Sequence, residues 1–533
     1  GNNSVAIGDT NTVASNRTYA IGNNINIAEA AVDSLAFGTK AGVKSARSIA
    51  IGAEASAGST DTTYNPLGDI RATAIGSEAK ANGLRSVALG DVAVASERYG
   101  TALGSSSNVS AAYGTAVGFE NRVSGDGGFA AGTHSVAAGR QQISIGHFAG
   151  DNVANSGVPA KAADYGVFIG RYAGSDAAGT TGNNYGIAIG AEAGRYQQGG
   201  EDNYAIGQNA GQYVNGTHSV ALGLNAGSHI EGDGNFAAAD GAGNYIKGRN
   251  NIAIGNNAGS GAAGAIVEAD RTISVGTRTQ ARGDNAVAIG TDSKALAVDA
   301  TAVGQAAQAS AEKTVAVGQG AKATERFTVA MGHNATASHA NSVALGTNSA
   351  TSDVHTGDYT LNTSYTAAGL PNAANGTVSV GSVGKERQIQ NVAAGVISAT
   401  STDAINGSQL YATNNYLSNL AGGVKNVLGG DVAVDNAGNL TMSDVGGTGK
   451  GNVHEAIAAV KGVADTAVQE VESENPTALS VKKDGTKVTL TPNFITGDLV
   501  NADGTVNAPA TADEGKLVSA KTVADALKAN HFV

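Results

Sequence analysis

The sequence contains no cysteine and no tryptophan, and only 5% of its 533 residues are aromatic. The absence of cysteine excludes disulfide bonds and thiolate metal sites. So few large side chains make a thick globular core hard to build. No run of about 18 apolar residues occurs, so no membrane-spanning helix is expected. The chain begins inside a repeat, so we expect this sequence to carry no signal peptide and to be a piece of a longer protein.

Basic charge is also scarce. The formal net charge is −12 and the sequence pI is about 5.2. Such a chain repels phosphates, and it has neither a dense basic stripe nor an aromatic stacking platform, so no nucleic-acid partner is expected. The nine histidines are scattered without a metal-binding spacing, and no repeat carries a recurring pair of carboxylates. We therefore expect no enzyme activity, no metal and no cofactor.

Glycine, in contrast, is abundant, with 76 residues, and it closes a recurring phrase of the form "SVALG". In two runs this glycine recurs every 14 residues. The first run is Gly76, Gly90, Gly104, Gly118, Gly132 and Gly146, and the second is Gly276, Gly290, Gly304, Gly318, Gly332 and Gly346. Between these runs the spacing stretches irregularly, over 146–276. A fixed period with local insertions is typical of a solenoid whose loops vary in length.

Each coil is predicted to contain two short strands and two turns. Apolar and small residues alternate within "SVALG", which is the period of a strand, and a second short strand follows, as in "DVAVAS" (91–96). The closing glycine suits a turn that needs positive φ or a close backbone approach. The fold class is therefore mainly β, a parallel β-roll.

The alternation also suggests which residues point inward. Valine and isoleucine are predicted to fill the coil, and the alternating alanine is predicted to face outward, against another chain. We therefore expect an obligate oligomer whose monomer does not fold alone. A monomeric solenoid with an alanine-rich solvent face is the alternative.

The pattern changes after Gly346. A polar insertion at 351–376 is followed by one more strand phrase at 377–384. A helix is predicted with Thr402 or Asp403 as its N-cap, ending near Gly422 and Gly423.

The remaining segments predict coiled coils and small β pieces. A heptad seam runs from Val453 to Val471 and is stopped by "NP" at 475–476. It lies between a β piece at 431–443 and a hairpin at 479–491 with Asp484-Gly485 at its turn. A last helix is predicted with Ser519 as its cap.

These features together resemble the trimeric autotransporter adhesins, the YadA-like family. The 14-residue repeat resembles the family's head, and "RQIQNVAAG…STDAINGSQL" resembles its neck. The neck-like positions are Arg387, Ile389, Asn391, Val392, Ala393, Gly395, Thr402, Asp403, Ala404, Asn406, Gln409 and Leu410. The family's small stalk modules often carry tryptophan, which is absent here.

The resemblance implies an intertwined homotrimer with a left-handed β-roll head, a neck and a coiled-coil stalk. Its domains would be a head at 1–384, a neck with a short coiled coil at 385–424, a small β module with a coiled-coil helix at 425–475, and a hairpin module with a terminal helix at 476–533. It also implies display on the surface of a Gram-negative bacterium, through a C-terminal outer-membrane anchor that these residues do not include.

The resemblance further implies adhesion to a host extracellular matrix protein, such as collagen, or to other cells. Family repeats associated with collagen have the form N-S-V-A-I-G-x-x-S, which residues 341–349 match with Leu345 for isoleucine. The candidate ligand-binding residues are Asn341, Ser342, Ser349, Asn3 and Ser4. A trimeric phage tail fibre or spike, a purely structural spacer head, and an ice-binding solenoid are the alternatives.

Overall fold

The computed structural model describes residues 1–59, 70–151, 162–176, 183–198, 200–357, 360–362, 365–428, 431–435, 439–466, 479–484, 487–494, 505 and 517–529. The chain divides into two compact units, Gly1–Ile389 and Gln390–Val533. The predicted head boundary at 384 lies shortly before this division, and the finer domain boundaries stay predictions.

The first unit is built around one parallel sheet of 23 strands, one strand from each coil. Neighbouring strands pair in register, as in Val87 with Thr101 and Ala88 with Ala102. We call this sheet the large sheet. Its strands are Val5–Ile7, Tyr19–Ile21, Leu35–Phe37, Ile49–Ile51, Thr73–Ile75, Val87–Leu89, Thr101–Leu103, Thr115–Phe119, Phe129–Thr133, Ile143–Ile145, Val167–Ile169, Ile187–Ile189, Tyr204–Ile206, Val220–Leu222, Phe236–Ala238, Ile252–Ile254, Ile273–Val275, Val287–Ile289, Thr301–Val303, Val315–Val317, Val329–Met331, Val343–Leu345 and Val378–Ser379.

A second, shorter strand in many coils forms parallel sheets of nine, three and five strands. We call these the short sheets. Their strands are, in the first, Thr12–Val13, Asn26–Ile27, Gly42–Val43, Ser56–Ala57, Lys80–Ala81, Val94–Ala95, Asn108–Val109, Arg122–Val123 and Val136–Ala137; in the second, Ile230–Glu231, Ile246–Lys247 and Val267–Glu268; and in the third, Gln280–Ala281, Lys294–Ala295, Gln308–Ala309, Lys322–Ala323 and Thr336–Ala337. The prediction of a mainly β, parallel β-roll is confirmed.

The side chains, however, point the opposite way from the prediction. In the coil that begins at Ser86, the buried side chains are Ser86, Ala88, Ala93 and Ala95, whereas Leu89 is 39% exposed. So short a coil brings its two strands close together, and small side chains fill the space between them. On the large sheet the bulkier valine, isoleucine and leucine therefore point outward and alanine points inward, whereas on the first short sheet Ile27, Val43 and Val109 are buried in the same core as alanine.

Phe168 is the largest inward-pointing side chain on the large sheet. It occupies an alanine position of the large sheet and is buried. Two glycines make room for its ring: a Cβ on Gly174 would lie 2.5 Å from ring carbon Cδ1, and a Cβ on Gly166 would lie 3.1 Å from Cζ. At this position of the large sheet, the ring is accommodated because two of its neighbours are glycines.

The glycine that closes most large-sheet strands meets both predicted requirements; after Phe236–Ala238 this position is taken by Ala239, with φ of 97°. Gly90 has φ of +140°, and a Cβ there would lie 2.5 Å from the backbone carbon of Gly104. Most of the described turns also contain a non-glycine residue with positive φ, such as Val92 and Tyr99 at 57°. The backbone N–H of each donates to a carbonyl of the preceding coil, from Val92 to Ser77 and from Tyr99 to Leu84. The side chains of these turn residues therefore form columns along the solenoid.

In the irregular section, buried asparagines replace the small hydroxyl residue at the start of the large-sheet strand. The Asn203 amide donates to Gly216 O at 2.8 Å and accepts from the Ser219 N–H at 3.0 Å. The Asn251 amide donates to Ala269 O and accepts from the Thr272 N–H, both at 2.9 Å. These side chains satisfy backbone groups in coils that are longer than the regular repeat.

The predicted strand after the polar insertion extends the large sheet. Val378 pairs with Val343, so the chain resumes the coil after residues 351–376. Within the insertion, Thr360–Asn362 and Tyr365–Thr366 form a short hairpin, and Ala373–Asn375 is a 3₁₀ turn.

The second unit contains three helices and two small hairpins in its described part. The helices are α1 (Gly407–Leu428), α2 (Val453–Thr466) and α3 (Ala520–Ala529), and Val445–Gly447 is a 3₁₀ turn. The predicted β pieces are confirmed as Ala433–Val434 with Leu440–Thr441, and Leu479–Asp484 with Lys487–Pro492. Asp484 pairs with Lys487, so Asp484 is the last strand residue and not a turn residue; the loop itself and the heptad positions after Thr466 lie outside the described residues.

The predicted ends of α1 were wrong. The helix begins at Gly407, and Asn406 caps it by accepting from the Gln409 N–H at 3.3 Å and from Ser408 Oγ at 2.7 Å. It also continues through Gly422 and Gly423 to Leu428. In contrast, Ser519 caps α3 as predicted, since its hydroxyl accepts from the Thr522 N–H at 3.0 Å. Of the helices in the described part, none is both long enough and apolar enough to cross a bilayer.

Candidate adhesion surface

The large sheet and the short sheets expose side chains of different polarity. The outward residues of the large sheet are mostly valine, isoleucine and leucine, and Ile289 is 38% exposed. The outward residues of the third short sheet are Gln280, Lys294, Gln308, Lys322 and Thr336. A long apolar stripe is a surface for protein contact, and the polar sheet is suited to water or to a polar ligand. Sequence reasoning missed this apolar stripe because it assigned the same side chains to the core.

The turns carry columns of paired charges. Arg278 donates to Asp292 at 2.7 Å, Arg326 donates to Glu312 at 2.7 Å, and each pair joins neighbouring coils. The Arg278 hydrogen bond lowers the pKa of the Asp292 carboxyl below its ordinary value. These pairs link the coils at their exposed corners.

The turns also carry stacked aromatic rings that sequence reasoning did not single out. Tyr196, Tyr213, His229 and Tyr245 form a continuous stack with centroid separations of 4.5–4.6 Å. Burial lowers the pKa of the His229 imidazole. The sequence spacing between consecutive rings equals the local coil length, and that spacing is the signal that could have revealed the stack.

Two of the predicted ligand-binding residues have no exposed surface. The Ser342 hydroxyl accepts from the Thr377 N–H at 2.9 Å and donates to Ala340 O at 3.3 Å. The Ser349 hydroxyl donates to Leu345 O at 2.7 Å. Both side chains are fully buried. Their contacts hold the last regular coil and join it to the strand that follows the insertion, which is a role in the fold.

The other three predicted ligand-binding residues are at least partly accessible. Asn3 and Asn341 are exposed turn residues with φ of 55° and 61°. The Asn341 amide donates to Ala374 O at 2.8 Å, and the Ser4 hydroxyl donates to Ser15 O at 2.9 Å. Asn3 and Ser4 belong to the first coil and Asn341 to the last regular one, so the structure does not bring the five candidates together.

Arg387, predicted from the neck-like motif, lies at the end of the solenoid. Its guanidinium donates to Ser349 Oγ at 2.9 Å and to the backbone carbonyls of Val380 and Thr347. Because an arginine side chain carries five donors in a fixed fork, one residue can cover several carbonyls at once. Arg387 thereby caps the C-terminal edge of the large sheet.

Several of the neck-like residues form a compact clasp in the second unit. Gln409 donates to Gly395 O at 2.7 Å and accepts from the Gly395 N–H at 3.0 Å. Asn406 donates to Val392 O at 3.1 Å, and Asp403 accepts from the Val396 N–H at 3.0 Å. A Cβ on Gly395 would lie 2.4 Å from the carbonyl oxygen of Ala404, so this approach requires glycine.

Three further neck-like residues are described by their backbone conformation or exposure rather than by a hydrogen bond of the clasp. Asn391 has φ of 59°, and Ile389 and Leu410 are exposed at 70% and 58%. Among the residues that the structure describes, no group of three or more histidine and acidic side chains is placed to hold a metal ion.

A parallel solenoid, with a polar clasp and helices after it in the chain, defines a repeat-built protein rather than a globular domain. The comparisons with known families agree. Residues 30–55, 70–93, 95–121, 268–293, 295–321 and 323–349 match the YadA head domain repeat, and residues 388–433 match the coiled stalk of trimeric autotransporter adhesins. The matched segments are those of YadA-like trimeric autotransporter adhesins.

Curated relatives carry the same family name. The chain is 36% identical over 120 residues to the trimeric autotransporter adhesin AtaA of Acinetobacter sp. (strain Tol 5), covering 22% of this chain and 3% of AtaA. It is 65% identical over 52 residues to the autotransporter adhesin BtaE of Brucella suis biovar 1, covering 10% of this chain and 7% of BtaE. The matched regions are thus small parts of much longer relatives.

A solved structure also matches part of the chain. It is the C-terminal YadA-like domain of a Burkholderia pseudomallei protein, at 43% identity, covering 20% of this chain and 51% of that one with a TM-score of 0.19.

Proposed function

We propose that this chain is the extracellular part of a homotrimeric bacterial adhesin that attaches the cell to host extracellular matrix, such as collagen or another matrix protein, or to other cells. The order of head repeats and stalk carries this proposal, since both match trimeric autotransporter adhesins. We further propose that the complete protein is anchored in the outer membrane of a Gram-negative bacterium.

The large sheet and the short sheets are suited to different roles within such a trimer. The apolar large sheet is suited to contact with the other copies, because such contact would remove its exposed valine and isoleucine side chains from water. The polar short sheets would then face outward, where Lys294, Gln308 and Lys322 lie in register on successive coils. A rigid row of polar groups can hold an extended ligand by many weak contacts, which three copies multiply.

Binding to immobilised collagen, fibronectin and laminin tests this function. We expect saturable binding of the assembled chain to at least one of them, and weaker binding when Lys294, Gln308 and Lys322 are all changed to alanine. Lys80→Ala, on the first short sheet, is the matched single-site control and should bind like the parent chain. An absence of saturable binding to every matrix protein would reject the matrix proposal and favour a spacer head.

Asn341 and Asn3 remain proposed contact residues. Asn341→Ala and Asn3→Ala test them in the same assay, and each should weaken collagen binding if its turn contacts the ligand. Unchanged binding of both variants by a chain that does bind collagen would place the contact elsewhere on the head.

A further inference from the structure

A missing rung interrupts one of the aromatic columns at the corner before the large sheet. Tyr99 and Tyr113 occupy consecutive rungs, with ring centroids 5.0 Å apart and planes within 6°. The next rung is Gly127, whose N–H donates to Ala112 O just as the Tyr113 N–H donates to Arg98 O. Because glycine has no side chain, the stack ends at Tyr113, whose side chain is 54% exposed.

The gap has the dimensions of a ring. Neighbouring coils are about 4.8 Å apart, so the rungs of Tyr113 and Gln141, on either side of Gly127, are separated by about 9.5 Å. The Tyr99 and Tyr113 pair shows that the column accepts flat rings at this spacing. Gln141 leans toward the gap, since its Cγ lies 3.2 Å from the position that a Gly127 Cβ would take.

Polar groups surround the gap. Asp126 Oδ1 accepts from the Ala112 N–H at 3.2 Å, which holds this carboxylate beside the Gly127 rung. The gap therefore combines one aromatic face with a carboxylate and a carboxamide.

We propose that this gap, formed by Tyr113, Gly127, Asp126 and Gln141, binds a pyranose ring of a glycan. The apolar C–H face of the sugar would lie on Tyr113, and its hydroxyl groups would bond to Asp126 and Gln141. An aromatic side chain of a protein ligand would also fill the space, but it would form no hydrogen bonds to the Asp126 and Gln141 side chains. The site lies on a different part of the coil from the polar sheet and does not depend on matrix binding.

Saturation-transfer NMR of the assembled chain with the methyl glycosides of glucose, galactose, N-acetylglucosamine and N-acetylneuraminic acid tests this proposal. We expect transfer to the ring protons of at least one sugar, and binding about tenfold weaker in Tyr113→Ala. Gly127→Tyr should also abolish binding, because it supplies the missing ring. That variant should fold, since Tyr99 and Tyr113 adopt the same left-handed conformation in this column.

Tyr185→Ala is the matched control. Tyr185 is 53% exposed and stacks on Tyr165 at 5.0 Å, but the next rung after it, Asp202, carries a side chain. This variant should bind sugar like the parent chain. No transfer to any of the four sugars, undiminished binding in Gly127→Tyr, or equal loss in Tyr185→Ala would each overturn the proposal. Matrix binding by the same variants, measured separately, should be unchanged.

Discussion

At the scale of single residues, the glycine that closes most large-sheet strands is a strict local requirement in a coil such as that of Gly90. Gly90 combines φ of +140° with a backbone atom of Gly104 only 2.5 Å from the position that a Cβ would take, so neither its conformation nor its surroundings admit a side chain. We expect Gly90→Ala to lower the free energy of unfolding of the head by about 2–4 kcal/mol. Urea unfolding followed by circular dichroism measures this loss.

Gly264→Ala is the appropriate comparison. Gly264 also has positive φ, at +84°, but a Cβ there would have no atom within 4 Å. Its substitution therefore carries backbone strain without a collision, and we expect a smaller loss than at Gly90. Equal losses in the two variants would show that close coil spacing is not what demands glycine.

The alanine positions show what a residue pattern can and cannot predict. Alternation along "SVALG" correctly predicted a strand with two faces, but it does not say which face is inside. Hydrophobicity favoured valine and leucine inside, whereas the width of the coil selected Ala88 and left Leu89 outside. The distance between the two strands of a coil decides this, and that distance is a property of the folded coil.

At the scale of elements, the neck-like clasp depends on one side chain that bonds both backbone groups of Gly395. We expect Gln409→Ala to remove both hydrogen bonds and to cost about 1–3 kcal/mol of local stability, since a lost partner leaves polar groups unsatisfied. Hydrogen exchange at the Gly395 amide measures this effect. Exchange there should become faster while the large sheet remains protected.

Gln409→Glu separates the two bonds. Glutamate keeps an oxygen that can accept from the Gly395 N–H but loses the amide that donates to Gly395 O. Protection of the Gly395 amide should therefore fall less in Gln409→Glu than in Gln409→Ala. If neither variant changes exchange at Gly395, the clasp does not hold this segment in solution.

The ion pairs between coils predict that the stability of the head depends on pH. Hydrogen bonding from Arg278 lowers the pKa of Asp292, so the folded chain binds this proton less readily than the unfolded chain does. The stabilisation is present above the ordinary carboxyl pKa of about 3.9 and is lost as the pH falls through the lower folded value. We expect the head to lose stability below about pH 4.

Asp292→Asn tests the contribution of this pair. The variant should be slightly less stable than the parent at neutral pH, and the difference should shrink on acidification and at high salt, because both groups are exposed. Thermal unfolding at several pH values measures it. A difference that stays constant from neutral pH to strongly acidic pH would contradict a role for the ionised pair.

The ends of the helices explain why local signals sometimes mislead. Ser519 was predicted correctly as a cap, and its hydroxyl accepts from the Thr522 N–H in α3. Asp403 also matched a capping signal, but its carboxylate accepts from the Val396 N–H in the clasp, and Asn406 takes the cap instead. The sequence spacing marked these residues as a motif without showing which backbone groups they bind.

At the scale of the whole molecule, repetition made the architecture predictable. Every coil bonds mainly to the coils before and after it, so a fixed period read from the sequence already contains the pairing of the large sheet. The candidate surfaces were less predictable, because Ser342 and Ser349 matched a binding motif and are buried. The aromatic gap at Gly127 depends on which side chains fall in one column, and that register follows from the individual coil lengths.

The apolar face of the large sheet leads to a prediction about assembly. Ile289 and Val303 are adjacent across two paired strands and point outward, and Lys294 and Gln308 are adjacent in the same way on the short sheet. We expect the Ile289→Asp, Val303→Asp double variant to dissociate, because assembly through this face would bury unpaired carboxylates. The Lys294→Asp, Gln308→Asp variant introduces the same two side chains on the polar face and should leave the assembly intact. Sedimentation of both variants gives their mass, and an unchanged mass for the Ile289 and Val303 variant would show that the copies meet through another surface.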